Sequence, residues 1–103
     1  MQYTVQLGAT DFAFMMQARN GSGTPGTADS TPAYKIYAPS GTTSLLSGSM
    51  AATEVDTQTG LYQKTSLSMT AGKGFAAGTT YLIRVTYAIS GTNYVDVQSV
   101  KVT

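Results

Sequence analysis

The chain contains no cysteine and no histidine. The first absence rules out disulfides and thiolate metal sites. The second removes the commonest general base, the usual activator of a nucleophile and the commonest metal ligand. Charge is scarce as well: 11% of the 103 residues are charged, against roughly 25% in an ordinary soluble domain. Hydrophobic residues make up an ordinary 42%, so solubility rests on Thr, Ser, Gln and Gly. A surface so poor in charge tolerates the close approach of other neutral surfaces, and much of it is expected to be covered by protein in the working assembly. The net charge is +1, and Arg19, Lys35, Lys64, Lys73, Arg84 and Lys101 are scattered along the chain. Neither nucleic acid nor an anionic membrane is an expected partner. No run approaches the ~20 apolar residues of a membrane span. The opening Met1-Gln2-Tyr3-Thr4-Val5 has none of the features of a signal peptide, which predicts synthesis and retention in the cytosol.

Helical periodicity is also missing, whereas period-2 alternation runs through the chain. The clearest stretch is Thr79 to Thr103, two long strands folded back across Ser90-Gly91-Thr92-Asn93. Tyr81, Ile83, Val85, Tyr87 and Ile89 mark the buried face of the first. Leu82, Arg84, Thr86 and Ala88 form an opposite face that is only partly polar and is expected to lie against something. The returning strand carries Val95 and Val97 on one parity and Val100 and Val102 on the other. A regular strand cannot bury both sets on one face, which predicts a bulge near Gln98-Ser99.

Two strands cannot stand alone in water, and the rest of the chain supplies partners. Tyr3, Val5 and Leu7 alternate in a first strand; Phe12, Phe14, Met16 and Ala18 mark a second, expected at the centre of the core opposite Tyr81–Ile89. Tyr34, Ile36 and Ala38 belong to a third, and Leu45 to Met50 form a short fourth. Leu61 to Met69 follow, with Thr65, Leu67 and Met69 expected inward, and Phe75 should plug the core from a loop with one short helical turn. About seven short strands at near-regular spacing indicate an all-β sandwich forming a single domain over residues 1–103.

The long loop Arg19 to Thr31 consists almost wholly of turn formers, and a loop of that length in so small a domain is often functional. Its Gly21, Gly23 and Gly26 spell G-x-G-x-x-G, but a proline interrupts the motif and a strand follows it. A dinucleotide site needs the motif to open a helix. Asn20-Gly21-Ser22 matches a glycosylation acceptor, which carries no meaning for a cytosolic chain. Glu54 and Asp56 read as solvated turn residues, and Asp11 and Asp29 as turn or cap residues. No serine has an evident activator, so neither catalysis nor a metal or cofactor is expected. Seven tyrosines exceed what one small core needs. Alternation assigns Tyr34, Tyr81 and Tyr87 inward and Tyr37, Tyr62 and Tyr94 outward, where amphipathic rings suit protein contacts or stacking on sugars.

Four segments carry a family resemblance: Pro32-Ala33-Tyr34-Lys35-Ile36-Tyr37-Ala38-Pro39-Ser40-Gly41-Thr42, Leu45-Leu46-Ser47-Gly48-Ser49-Met50, Asp56-Thr57-Gln58-Thr59-Gly60-Leu61-Tyr62 and Gly78-Thr79-Thr80-Tyr81. Together they resemble immunoglobulin-like β-sandwich domains of bacteriophage virion proteins, and are similar to the strand-turn pattern of bacterial Ig-like and macroglobulin-like domains. The resemblance covers roughly residues 30 to 103 and rests on structural rather than catalytic motifs, so it specifies a scaffold better than a task. It implies a small capsid decoration or cement protein, with tail or neck accessory proteins next. The expected partners are the major capsid protein or other virion subunits, together with copies of the chain itself as a trimer or dimer. Candidate contact residues are Asn20, Thr24, Pro25 and Asp29 in the long loop, Thr42 beyond the third strand, and Tyr37, Tyr62 and Tyr94. The edge strand Tyr3 to Leu7 offers unpaired backbone groups. Deleting Gly21 to Gly26 is expected to weaken binding and spare the fold. Two other readings use the same scaffold: a glycan-binding or host-adhesion module with Tyr37, Tyr62 and Tyr94 as a stacking platform, and a bacterial surface Ig-like repeat.

Overall fold

The computed structural model describes residues 2–103; Met1, part of the strand-like opening run, lies outside the described residues. Seven strands form two packed sheets, an all-β sandwich. They are β1 (Gln2–Val5), β2 (Phe12–Gln17), β3 (Ala33–Tyr37), β4 (Ser44–Ser49), β5 (Leu61–Leu67), β6 (Thr80–Ile89) and β7 (Thr92–Val102). The larger sheet has the order β1-β7-β6-β3-β4, and β2 pairs with β5 in the smaller. Strand β1 runs parallel to β7, closing the first residues onto the last, while the other pairs are antiparallel.

The C-terminal hairpin forms as its pattern requires. Ile89 pairs with Thr92 across the two-residue turn Ser90-Gly91, whose φ values are 51° and 79°. Positive φ at both central positions matches the right-handed twist of the flanking strands. From that turn the register runs unbroken to Thr80 opposite Lys101, so the bulge expected near Gln98-Ser99 is absent. One parity of β7 must then face outward, and it is the pair Val95 and Val97, which are 47% and 54% exposed. The inward parity is Tyr94, Asp96, Gln98, Val100 and Val102. Two polar side chains turn inward because they have partners there: the Gln98 amide Nε2 donates to Asp96 Oδ2 at 2.8 Å and to the Met15 carbonyl at 2.7 Å.

A bulge does occur, on β5. Phe14 pairs with Lys64 and Phe12 with Leu67, so one extra residue lies on β5, where Ser66 takes φ 60°. Side-chain parity switches there: Tyr62 is buried before it and Leu67 and Met69 after it, which leaves Thr65 exposed instead of inward. The Phe12, Phe14 and Met16 face of β2 packs across the core against Tyr34, Ile36, Ile83 and Val85, as expected. Strand β2 has only β5 beside it, however. Its other edge is closed by side chains at Met15, whose N–H donates to Tyr3 Oη at 3.0 Å and whose carbonyl accepts from Gln98. An unpaired strand edge is an aggregation liability, and these bonds engage its Met15 N–H and carbonyl across the seam between the sheets.

Phe75 fills the core beside a short 3-10 turn, Ala71–Lys73, with its ring 4.8 Å from that of Tyr81 in an edge-to-face contact. Tyr34 is buried over Gly48, where a Cβ would lie 3.2 Å from the ring, and the Lys64 ammonium sits 5.9 Å from the ring centroid. Burial pushes the Tyr34 phenol above its ordinary pKa of 10.0. In the unfolded chain the phenol ionises first, so its contribution is complete below pH 10.0 and is lost as the pH rises through the folded value. Unfolding at stepped alkaline pH should show stability declining above that point, with a shallower decline in Tyr34→Phe. Identical slopes would remove Tyr34 as the cause.

Candidate functional site

The predicted contact residues fall into three groups. Asn20, Thr24, Pro25, Asp29 and Tyr94 gather at one end of the sandwich. Tyr37 and Thr42 lie toward the other, since Tyr37 pairs with Leu82 near the start of β6 while the loop meets its end. Tyr62 belongs to neither group. It is 3% exposed, and its hydroxyl accepts the Ala28 N–H at 3.1 Å.

The long loop is tied down along its length. Arg19 and Pro25 form an isolated bridge, and between them Asn20 Oδ1 accepts the N–H groups of Ser22 at 2.9 Å and Thr24 at 3.1 Å. This is how an Asn stabilises a turn. Tyr94 folds inward rather than outward: it stacks on Tyr87 with ring centroids 5.6 Å apart, and its hydroxyl accepts the Gly21 N–H at 3.0 Å. Tyr87 Oη accepts the Arg19 N–H at 3.1 Å and donates to the Arg19 carbonyl at 2.9 Å. Asp29 acts as a cap, its carboxylate accepting from Ser90 N–H at 2.9 Å and Gly91 N–H at 2.8 Å. Glu54 is engaged too, accepting from the Thr27 hydroxyl at 2.9 Å and from the Gly60 N–H.

Two expectations change as a result. Tyr37, Tyr62 and Tyr94 share no face, which dismantles the stacking platform drawn from alternation. Removing Gly21 to Gly26 is expected to lower stability as well as binding, because Gly26 N–H donates to the Ala18 carbonyl at 3.0 Å and Gly21 N–H to Tyr94. The loop is a brace for the turn between β6 and β7 as well as an exposed surface.

A second surface extends the partly polar β6 face of Leu82, Arg84, Thr86 and Ala88 to the neighbouring strands. The outer face of the larger sheet carries Ala33, Lys35 and Tyr37 from β3, Leu82, Arg84 and Thr86 from β6, and Val95 and Val97 from β7. From the sequence, the β6 portion of that face is a side expected to be covered; nothing among the described residues covers it, and Leu82 is 40% exposed. In register, Lys35 stands directly opposite Arg84 and Arg84 opposite Val97, while Tyr37 faces Leu82 and Thr86 faces Val95. Arg84 borders three hollows along this face, of about 460, 120 and 350 Å³. The signal in the sequence was the double valine parity of β7, which requires either a bulge or an apolar outer face.

Chemically, this face offers aliphatic contact and exposed cations. Among the described residues no group of three or more Asp or Glu side chains could hold a metal ion, and no helix is long and apolar enough to cross a membrane. No protein-family model matches the chain, and neither the curated proteins nor the solved structures contain a match.

Proposed function

We propose that the chain is an immunoglobulin-like structural module of a bacteriophage virion, a decoration or cement protein that associates with itself as a trimer or dimer and binds the major capsid protein lattice. The observation that carries this reading is the exposed aliphatic strip Leu82, Val95 and Val97 on a protein with so little surface charge. Isolated exposed hydrophobic residues are ordinary, whereas several on one sheet face mark a surface built to be covered. The resemblance over residues 30 to 103 adds the virion context. Repetition across an oligomer would turn modest single contacts into firm retention.

Cosedimentation tests the reading. Purified protein mixed with shells of the encoding phage should pellet with them at a saturating, fixed ratio to the major capsid protein. Protein that stays in the supernatant at every concentration would end the capsid reading.

A further inference from the structure

We infer that the outer face of the larger sheet is the docking surface, and that its occupant is a protein surface in which carboxylates are set among aliphatic side chains. The identity of the partner rests on the virion reading above, but the chemistry of the face does not.

Charge on the molecule is distributed unevenly. Lys35, Arg84 and Lys101 are three of its six cations, and all are exposed on this face. The five carboxylates lie elsewhere. Asp11 precedes β2, Asp29 caps the turn after β6, Glu54 and Asp56 lie before β5, and Asp96 points to the inner side against Gln98. Lys35 and Arg84 are direct cross-strand neighbours. Like charges in that position are destabilising. An incoming carboxylate reverses the sign of that interaction, and a planar guanidinium receives it through two parallel hydrogen bonds.

Complementarity also separates the possible occupants. A second copy docked by the same face would bring one cationic sheet face against another with no carboxylate on either, which disfavours face-to-face self-association. A phosphate backbone would satisfy the cations but leave Leu82, Val95 and Val97 with no apolar counterpart. An anionic bilayer is disfavoured for a geometric reason: the Leu and Val side chains are shorter than the Lys and Arg side chains beside them and would meet headgroups rather than hydrocarbon. A protein surface of mixed aliphatic and acidic character satisfies both.

Four proteins decide the matter: wild type, Val97→Asp, Arg84→Glu and, as a control, Lys73→Glu, which makes the same charge reversal in the exposed turn before Phe75. Each is confirmed as folded by a single cooperative thermal transition, which in Arg84→Glu should lie at or above that of wild type because the Lys35 neighbour becomes an opposite charge. On the shells, Val97→Asp and Arg84→Glu should bind at least roughly tenfold more weakly and Lys73→Glu about as wild type, since an introduced like charge costs on the order of a tenfold step or more. In the absence of shells, the apolar anion anilinonaphthalene sulfonate should gain fluorescence on wild type and on Lys73→Glu and lose that gain on both face variants.

Wild-type binding to shells that the face variants retain would overturn the face and leave the capsid reading standing. Failure of wild type to bind shells, with the dye pattern as expected, would remove the capsid reading and support the face. A dye signal equal in all four proteins would overturn the face whatever the shells do. Wild-type binding to vesicles containing phosphatidylserine, or an oligomer that Val97→Asp dissolves, would overturn the inference in favour of lipid or of a second copy.

Discussion

Gly60→Ala should remove about 3–5 kcal/mol of stability, the sum of a left-handed backbone forced on a side chain and a clash with backbone that cannot retreat. Gly60 has φ +77°, and a Cβ there would lie 2.7 Å from the Ala18 carbonyl oxygen and 2.8 Å from that of Gly26. Those two oxygens belong to one knot. Ala18 N–H donates to the Gly60 carbonyl at 2.7 Å, Gly26 N–H donates to the Ala18 carbonyl, and Gly60 N–H donates to Glu54. Strand β2, the long loop and the turn before β5 therefore meet at an atom that has to be hydrogen. Gly78→Ala separates the two causes: it has φ +86° and nothing within 4 Å of its Cβ position, so only the backbone term applies. Its cost should be about 1–2 kcal/mol. In thermal melts the Gly60 variant should lose at least ~12 °C and the Gly78 variant at most about two thirds of the Gly60 loss. Equal losses would show that the knot around Gly60 yields.

Gln98→Glu should cost about 3–5 kcal/mol at neutral pH and little in acid. Gln98 is 7% exposed, and its amide spends both N–H groups, on the Met15 carbonyl and on Asp96. A carboxylate has no N–H to give. It would face an oxygen at each of those places, leaving a buried charge without a partner beside a second carboxylate. Burial and the neighbouring negative charge both raise the folded pKa of the introduced carboxyl above its unfolded value of ~4.3. The penalty is therefore absent below about pH 4, grows as the pH rises, and levels off above the folded pKa. Urea unfolding of both proteins at pH 4 and pH 7 measures it directly. A loss of the same size at both values would mean that shape, not charge, is what the seam between the sheets requires.

These two sites mark the boundary of what could be read from the chain. Alternation in β2, β3 and β6 was legible because each of those strands buries one face and exposes the other, and the Ser90-Gly91 turn follows from local backbone chemistry. Phe75 was legible as a core plug because a lone aromatic between glycines has few other uses. The parity of β7 was not, since Asp96 and Gln98 can be buried only once β2 has brought the Met15 carbonyl to them, a contact between residues 83 apart in the chain. The irregularities fall on β5 and β4 rather than on β7, and the one on β5 is illegible for a related reason. Ser66 takes its positive φ without the glycine that would have announced it. Alternation with Leu67 and Met69 puts Tyr62 outward, and the bulge at Ser66 reverses that parity, so Tyr62 is buried with its hydroxyl on the Ala28 N–H. Parity also decides the β7 part of the outer sheet face: once β7 is regular, Val95 and Val97 can only lie outside.

The central claim is that protein covers that outer face in the native assembly. Amine labelling resolved by lysine tests it most directly, comparing free protein with protein in intact particles. Lys35 and Lys101 should react freely in solution and be shielded in the particle, while Lys73, in the turn before Phe75, stays reactive in both. Equal labelling of all three lysines in the particle would contradict the account.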